Sequence, residues 1–122
     1  MHAGTFDPVR RRFIVFSGGD DTAFTAADYK NDLWGFDVDA PGWTLLHDGL
    51  SSSPDGRFMG AIAYDEAGGR YLAFGGHDDT SLGNTNDLWA FDPVLLTWDL
   101  VHRGDTFQTA IPVFCQPTAD FA

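Results

Sequence analysis

An internal repeat constrains this chain more than any other feature, because a chain that copies itself at a fixed spacing stacks copies of one structural unit. The run from Phe6-Asp7-Pro8 through Arg12-Phe13-Ile14-Val15-Phe16-Ser17-Gly18-Gly19-Asp20-Asp21-Thr22 matches Tyr64-Asp65-Glu66 through Arg70-Tyr71-Leu72-Ala73-Phe74-Gly75-Gly76-His77-Asp78-Asp79-Thr80, with Phe13 and Tyr71 at an offset of 58 residues. After a three-residue deletion, Asn31-Asp32-Leu33-Trp34, Phe36-Asp37, Trp43, His47 and Gly49 match Asn86-Asp87-Leu88-Trp89, Phe91-Asp92, Trp98, His102 and Gly104 at an offset of 55. The length change falls between two strand-like runs, where a connection absorbs it.

Each copy divides into four short strands. In the second copy they are Phe58 to Tyr64, Arg70 to Phe74, Asp87 to Phe91 and Thr97 to Val101. The connections are hairpin-like: Asp65-Glu66-Ala67-Gly68-Gly69 is glycine-rich, and Asp92-Pro93 starts a turn while ending a strand. Of 18 acidic residues, all but Glu66 are Asp, and the chain holds 14 Gly and 11 Phe. Asp competes for backbone donors in turns, so this composition predicts strands and tight turns with almost no helix. One detail leaves a register open: Ser17 separates Phe16 from Gly18-Gly19, whereas Phe74 runs directly into Gly75-Gly76.

A di-glycine after an apolar strand, then Asn86-Asp87-Leu88-Trp89-Ala90-Phe91-Asp92, then Trp98, with Arg57 opening the copy, resembles the kelch repeat over roughly residues 2 to 104. The resemblance implies an all-β chain of kelch-type β-propeller blades, each a four-stranded antiparallel sheet. Residues 1–49 form the first repeat with its innermost strand shortened, 50–104 the second, and 105–122 an extension or the start of a degenerate third blade. Propellers close with about four to eight blades, so two make an incomplete ring. The chain is then a fragment of a longer propeller, the favoured reading, or a protomer that completes a ring with other copies. Open blade edges would also invite self-association.

For the repeated Trp34, Trp43, Trp89 and Trp98 the expectation is burial between blades, and for Gly18, Gly19, Gly75 and Gly76 a backbone role. Neither glycine pair belongs to a phosphate-binding motif.

Seven basic residues against 18 acidic ones give a net charge of −11 and disfavour nucleic acid or anionic membrane as partners. No apolar run approaches the roughly 20 residues of a membrane-spanning helix, and Met1-His2-Ala3-Gly4 opens without the apolar core of an export signal. Cys115 is alone, so no intramolecular disulfide is expected, and its apolar surroundings predict a buried thiol.

Antiparallel order gathers Asp20, Asp21, Asp28, His47, Asp48, Asp55, His77, Asp78, Asp79 and His102 at one end of the strands. The opposite end takes Arg10, Arg11, Arg12 and Arg70 among Asp7, Asp39, Asp65, Glu66 and Asp92. Within the acidic end, Asp20, Asp21, His77, Asp78 and Asp79 are the predicted binding loops. The repeated Asp-Asp-Thr reads as a turn device before a cation site, because it lacks the calcium-loop pattern, and His47 and His102 read as structural.

By family resemblance the function is a protein-binding scaffold. The alternative is part of a kelch-propeller enzyme, galactose-oxidase-like or otherwise sugar-active, with its catalytic residues outside this chain. That resemblance would require a copper site of His, Tyr and a Cys-linked Tyr, which cannot be assigned to Tyr29, Tyr64, Tyr71 and Cys115. No catalytic residue, metal or cofactor is therefore carried over.

Overall fold

Four aromatic–aspartate pairs organise the hairpins of the computed structural model, which describes residues 1–19, 29–78 and 83–104. Each pair ends a strand, and the Asp carboxylate turns the chain by accepting from backbone N–H groups just ahead of it. Asp7 takes the amides of Val9 and Arg10, both at 2.9 Å. Asp37 takes Asp39 and Ala40, Asp65 takes Gly68, and Asp92 takes Val94 and Leu95. A left-handed residue then closes three of these turns: Arg11 at φ 53°, Gly69 at φ 62° and Leu96 at φ 58°.

The described residues are all-β, without helix. β1 (Ala3–Asp7), β2 (Arg12–Gly19), β3 (Tyr29–Asp37) and β4 (Gly42–His47) form one four-stranded antiparallel sheet in sequential order. β5 (Ala61–Asp65), β6 (Arg70–Asp78), β7 (Gly83–Asp92) and β8 (Thr97–His102) form a second sheet of the same order. Registers coincide as well: Phe13 faces Phe36 as Tyr71 faces Phe91, and Phe36 faces Trp43 as Phe91 faces Trp98.

Strand bounds differ from the sequence reading at several ends, with β5 starting at Ala61 instead of Phe58 and β7 at Gly83 instead of Asp87. The glycines do not end β2 and β6. A bulge follows Phe16 and Phe74, with Ser17 and Gly75 both at φ 59°, and pairing resumes at Gly18 and Gly76. Ser17 thus occupies the site of Gly75, which closes the register question without an extra residue. Its hydroxyl also accepts from the Arg57 amide at 2.9 Å and has the Lys30 and Arg57 carbonyls as alternative acceptors for its one proton, which offsets the cost of a left-handed side chain.

β1 and β5 have five residues each. Just before β5, Phe58 makes an isolated bridge to His77 and Met59 turns the chain at φ 58°.

The sheets pack face to face, nearest along β1 and β5. Ala3, Ile14, Phe16, Leu33 and Leu46 of the first sheet meet Ile62, Tyr71, Ala73, Phe91 and Trp98 of the second. Trp98 lies with its ring centroid 5.1 Å from both Phe16 and Phe91.

Candidate functional site

The predicted binding loops fall at the strand ends that carry the β2–β3, β6–β7 and β4–β5 connections. Asp20, Asp21 and Asp79 lie outside the described residues, as do Asp28 and Cys115. Asp78 is the last residue of β6, with its backbone in register with Gly83. His77 sits within β6 instead of in a loop: its backbone pairs with Phe58 in both directions, at 2.8 and 3.0 Å, and its ring stands edge-on to Phe58 at 5.1 Å. The Phe58 ring in turn lies 4.9 Å from Tyr29, so β3, β6 and the linker between the sheets meet in one aromatic stack.

The linker between the sheets also carries exposed carboxylates at Asp48 and Asp55. His47 has a structural duty. Its Nδ1 accepts the Gly49 amide at 3.0 Å, as His102 Nδ1 accepts that of Gly104. A neutral imidazole accepting at Nδ1 carries its proton on Nε2, so His47 donates to Ser51 Oγ at 3.1 Å and does not act as a base toward that hydroxyl. Both glycines are left-handed, and a Cβ would stand 2.1 Å from Asn31 Oδ1 at Gly49 and 2.0 Å from Asn86 Oδ1 at Gly104. The repeated Asn, His and Gly are therefore one device for turning the chain out of the fourth strand.

Two buried polar clusters went unread in the sequence. In the second sheet Arg57 and Asp87, 3% and 1% exposed, form a two-pronged ion pair at 2.6 and 3.0 Å. Arg57 also donates to the Gly75 carbonyl, Thr85 Oγ1 and the Asp55 carbonyl, and Asp87 accepts the Trp89 indole at 2.7 Å. Every prong is used, which a buried ion pair requires if desolvation is not to exceed its attraction. Asp32 holds the Trp34 indole at 2.7 Å in the first sheet. Arg57 was visible as a repeat residue, but its partner 30 positions later was not.

The second cluster joins the sheets. Tyr71 donates to Asp7 Oδ2 at 2.5 Å and accepts from Arg12 Nη2 at 3.1 Å, while Arg10 pairs with Asp7 at 3.1 Å. Burial opposes ionisation of Asp7, but the Tyr71 hydroxyl and the Arg10 amide and guanidinium outweigh it and hold the carboxyl below its ordinary range. Burial, followed by the bond to Asp7, pushes the Tyr71 phenol up to about 12. The available signal was a single exchange, since Phe13 of the first copy becomes Tyr71 in the second.

At this turn end two exposed ion pairs also form. Arg11 grips Asp39 at 2.7 and 3.1 Å, and Arg70 grips Asp65 at 2.9 Å, each lowering the carboxyl's proton affinity.

The repeated tryptophans do not share one environment. Trp98 is 3% exposed between the sheets, and Trp34 and Trp89 are half-buried with their indoles on Asp32 and Asp87. Trp43 departs from the expected burial. It is 57% exposed, edge-on to Phe36, because among the described residues no sheet covers that face of the first sheet. A shallow apolar concavity of about 490 Å³ lies there, lined by Phe6, Phe13, Val15, Phe36 and Trp43 among others.

Among the described residues no three His, Cys, Asp or Glu side chains converge into a metal-holding group. What the acidic end offers chemically is charge and hydrogen-bond acceptors for a cationic surface. No protein-family model matches the chain.

Proposed function

We propose that this chain is a two-blade stretch of a kelch-type β-propeller, an incomplete ring, serving as a scaffold for a protein partner at its acidic strand ends. The observation that carries the reading is the coincidence of strand order and register between the two four-stranded sheets, face to face, with the motif residues in the same structural posts. Rigid sheets that present variable connections at one end are a general platform for recognition. The net charge of −11 selects partners that bring Lys and Arg.

The test is selection from a randomised peptide library on the immobilised chain. Enrichment of basic sequences that is lost when Asp55, Asp78 and Asp79 are changed to Lys, and kept when Asp39 and Glu66 at the opposite end are changed, is the result expected. Equal loss from both ends would mean diffuse charge attraction and would overturn the site.

A further inference from the structure

We infer that the Asp32 carboxylate is a binding post for an arginine side chain brought by a basic peptide, with the stem of that arginine lying against Trp34 and Trp43. The second sheet displays the post with its arginine in place. Asp87 Oδ2 accepts the Trp89 indole at 2.7 Å, while Arg57 donates from Nη1 to Oδ1 at 2.6 Å and from Nη2 to Oδ2 at 3.0 Å. Asp32 is the same residue at the offset of 55, and its Oδ2 accepts the Trp34 indole at the same 2.7 Å. The carboxylate is thus already oriented for a guanidinium, yet among the described residues Asp32 forms no ion pair.

The surroundings repeat in part. Ser17 stands for Gly75, whose carbonyl also takes Arg57, and both residues have φ 59°. Lys30 stands for Thr85, so the hydroxyl acceptor of the second sheet has no counterpart.

Access is what differs most. Leu33 turns into the core between the sheets, so Asp32 and Trp34 on either side of it point to the opposite face, where Trp43 is exposed. Asp32 is half-buried there, whereas Asp87 is 1% exposed. Trp34 also lines, with Val15 and Trp43, a groove of about 440 Å³. A carboxylate at the edge of two indoles suits arginine in particular: the planar fork matches both oxygens, and the apolar stem and flat cation lie on aromatic rings. The net charge of −11 draws a cationic ligand. Because β3 begins at the acidic strand ends, the site deepens the scaffold reading and rests on it for the basic character of the partner.

The probe is the peptide acetyl-Gly-Arg-Gly-amide, followed by NMR through the indole N–H signals of the four tryptophans. It is expected to shift the Trp34 signal to saturation and to leave that of Trp89 in place, because Arg57 already fills Asp87. The lysine counterpart of the peptide, and guanidinium ion alone at equal ionic strength, should each bind at least about tenfold more weakly, the equivalent of one charged hydrogen bond. Asp32→Asn can still accept the Trp34 indole and should lose the response, and Trp43→Ala should weaken binding about threefold. No Trp34 shift, equal shifts at Trp34 and Trp89, equal binding of either comparator, or an unchanged response in D32N would each overturn the proposal. Peptide selection that fails at Asp55, Asp78 and Asp79 while the Trp34 response holds would count against the scaffold reading and leave this site standing.

Discussion

Tyr71 and Asp7 stand 64 residues apart in the chain and share a 2.5 Å hydrogen bond across the interface between the two sheets. Hydrophobic contact brings the sheets together without choosing one relative placement, whereas this bond, braced by Arg12 and Arg10, has a direction.

Replacing Tyr71 with Phe is therefore expected to destabilise the fold by about 1.5–3 kcal/mol, the range for a hydrogen bond to a charged group. The ring is already tolerated at the equivalent position by Phe13. Urea unfolding at fixed chain concentration checks the value. Asp7→Asn should cost less in the Tyr71→Phe background than alone, since the two changes remove one shared interaction.

The same pair contributes to the pH dependence of stability at both ends. Asp7 has a folded pKa below its unfolded value, so its contribution is present above the ordinary carboxylate pKa of 3.8 and is lost as pH falls through the folded value. Tyr71 has the opposite sign: raised from 10.0 to about 12, it contributes fully below 10 and loses its contribution as pH climbs toward 12. Urea midpoints across pH should show both limbs, and Tyr71→Phe should remove the alkaline one. In an absorbance titration of the three tyrosines, one should ionise late.

Arg57→Met leaves Asp87 charged and buried, with an expected loss of about 3–5 kcal/mol. Adding Asp87→Asn removes that stranded charge and should recover part of the loss. A single variant that unfolds at the wild-type urea midpoint would show the pair to be dispensable.

At the bulge, Ser17→Ala keeps a side chain in the left-handed region and loses the hydroxyl that holds the Arg57 amide. Ser17→Gly loses the hydroxyl but relieves the backbone, so it should be the more stable of the two by about 1 kcal/mol. Thermal unfolding of the two variants side by side decides it.

Much of the fold was legible because its signals are local. An aromatic–Asp pair at each hairpin, and the Asn, His and Gly that close each fourth strand, act within a few residues or across one ladder. Strand ends beyond Phe16 and Phe74 were misjudged, because a glycine or serine in a left-handed site bulges the strand where a turn was expected. The site was less legible. Trp43 and Trp98 occupy the same repeat post, yet one is exposed and the other buried, since burial depends on what stacks above the sheet and not on the motif. His77 looked like a loop residue until the Phe58 bridge placed it in a strand, and the Tyr71–Asp7 bond exists only once the two sheets have docked.

Between Phe16 and Leu33 the first copy spans three more residues than the second does between Phe74 and Leu88, yet both pairs sit directly across the ladder from one another. Sheet geometry is thus insulated from the length of this connection. Insertions can accumulate there, or be grafted there as a recognition peptide, at the small entropic cost of a longer loop. Heredity can rewrite this part of the molecule while the scaffold beneath it stays the same.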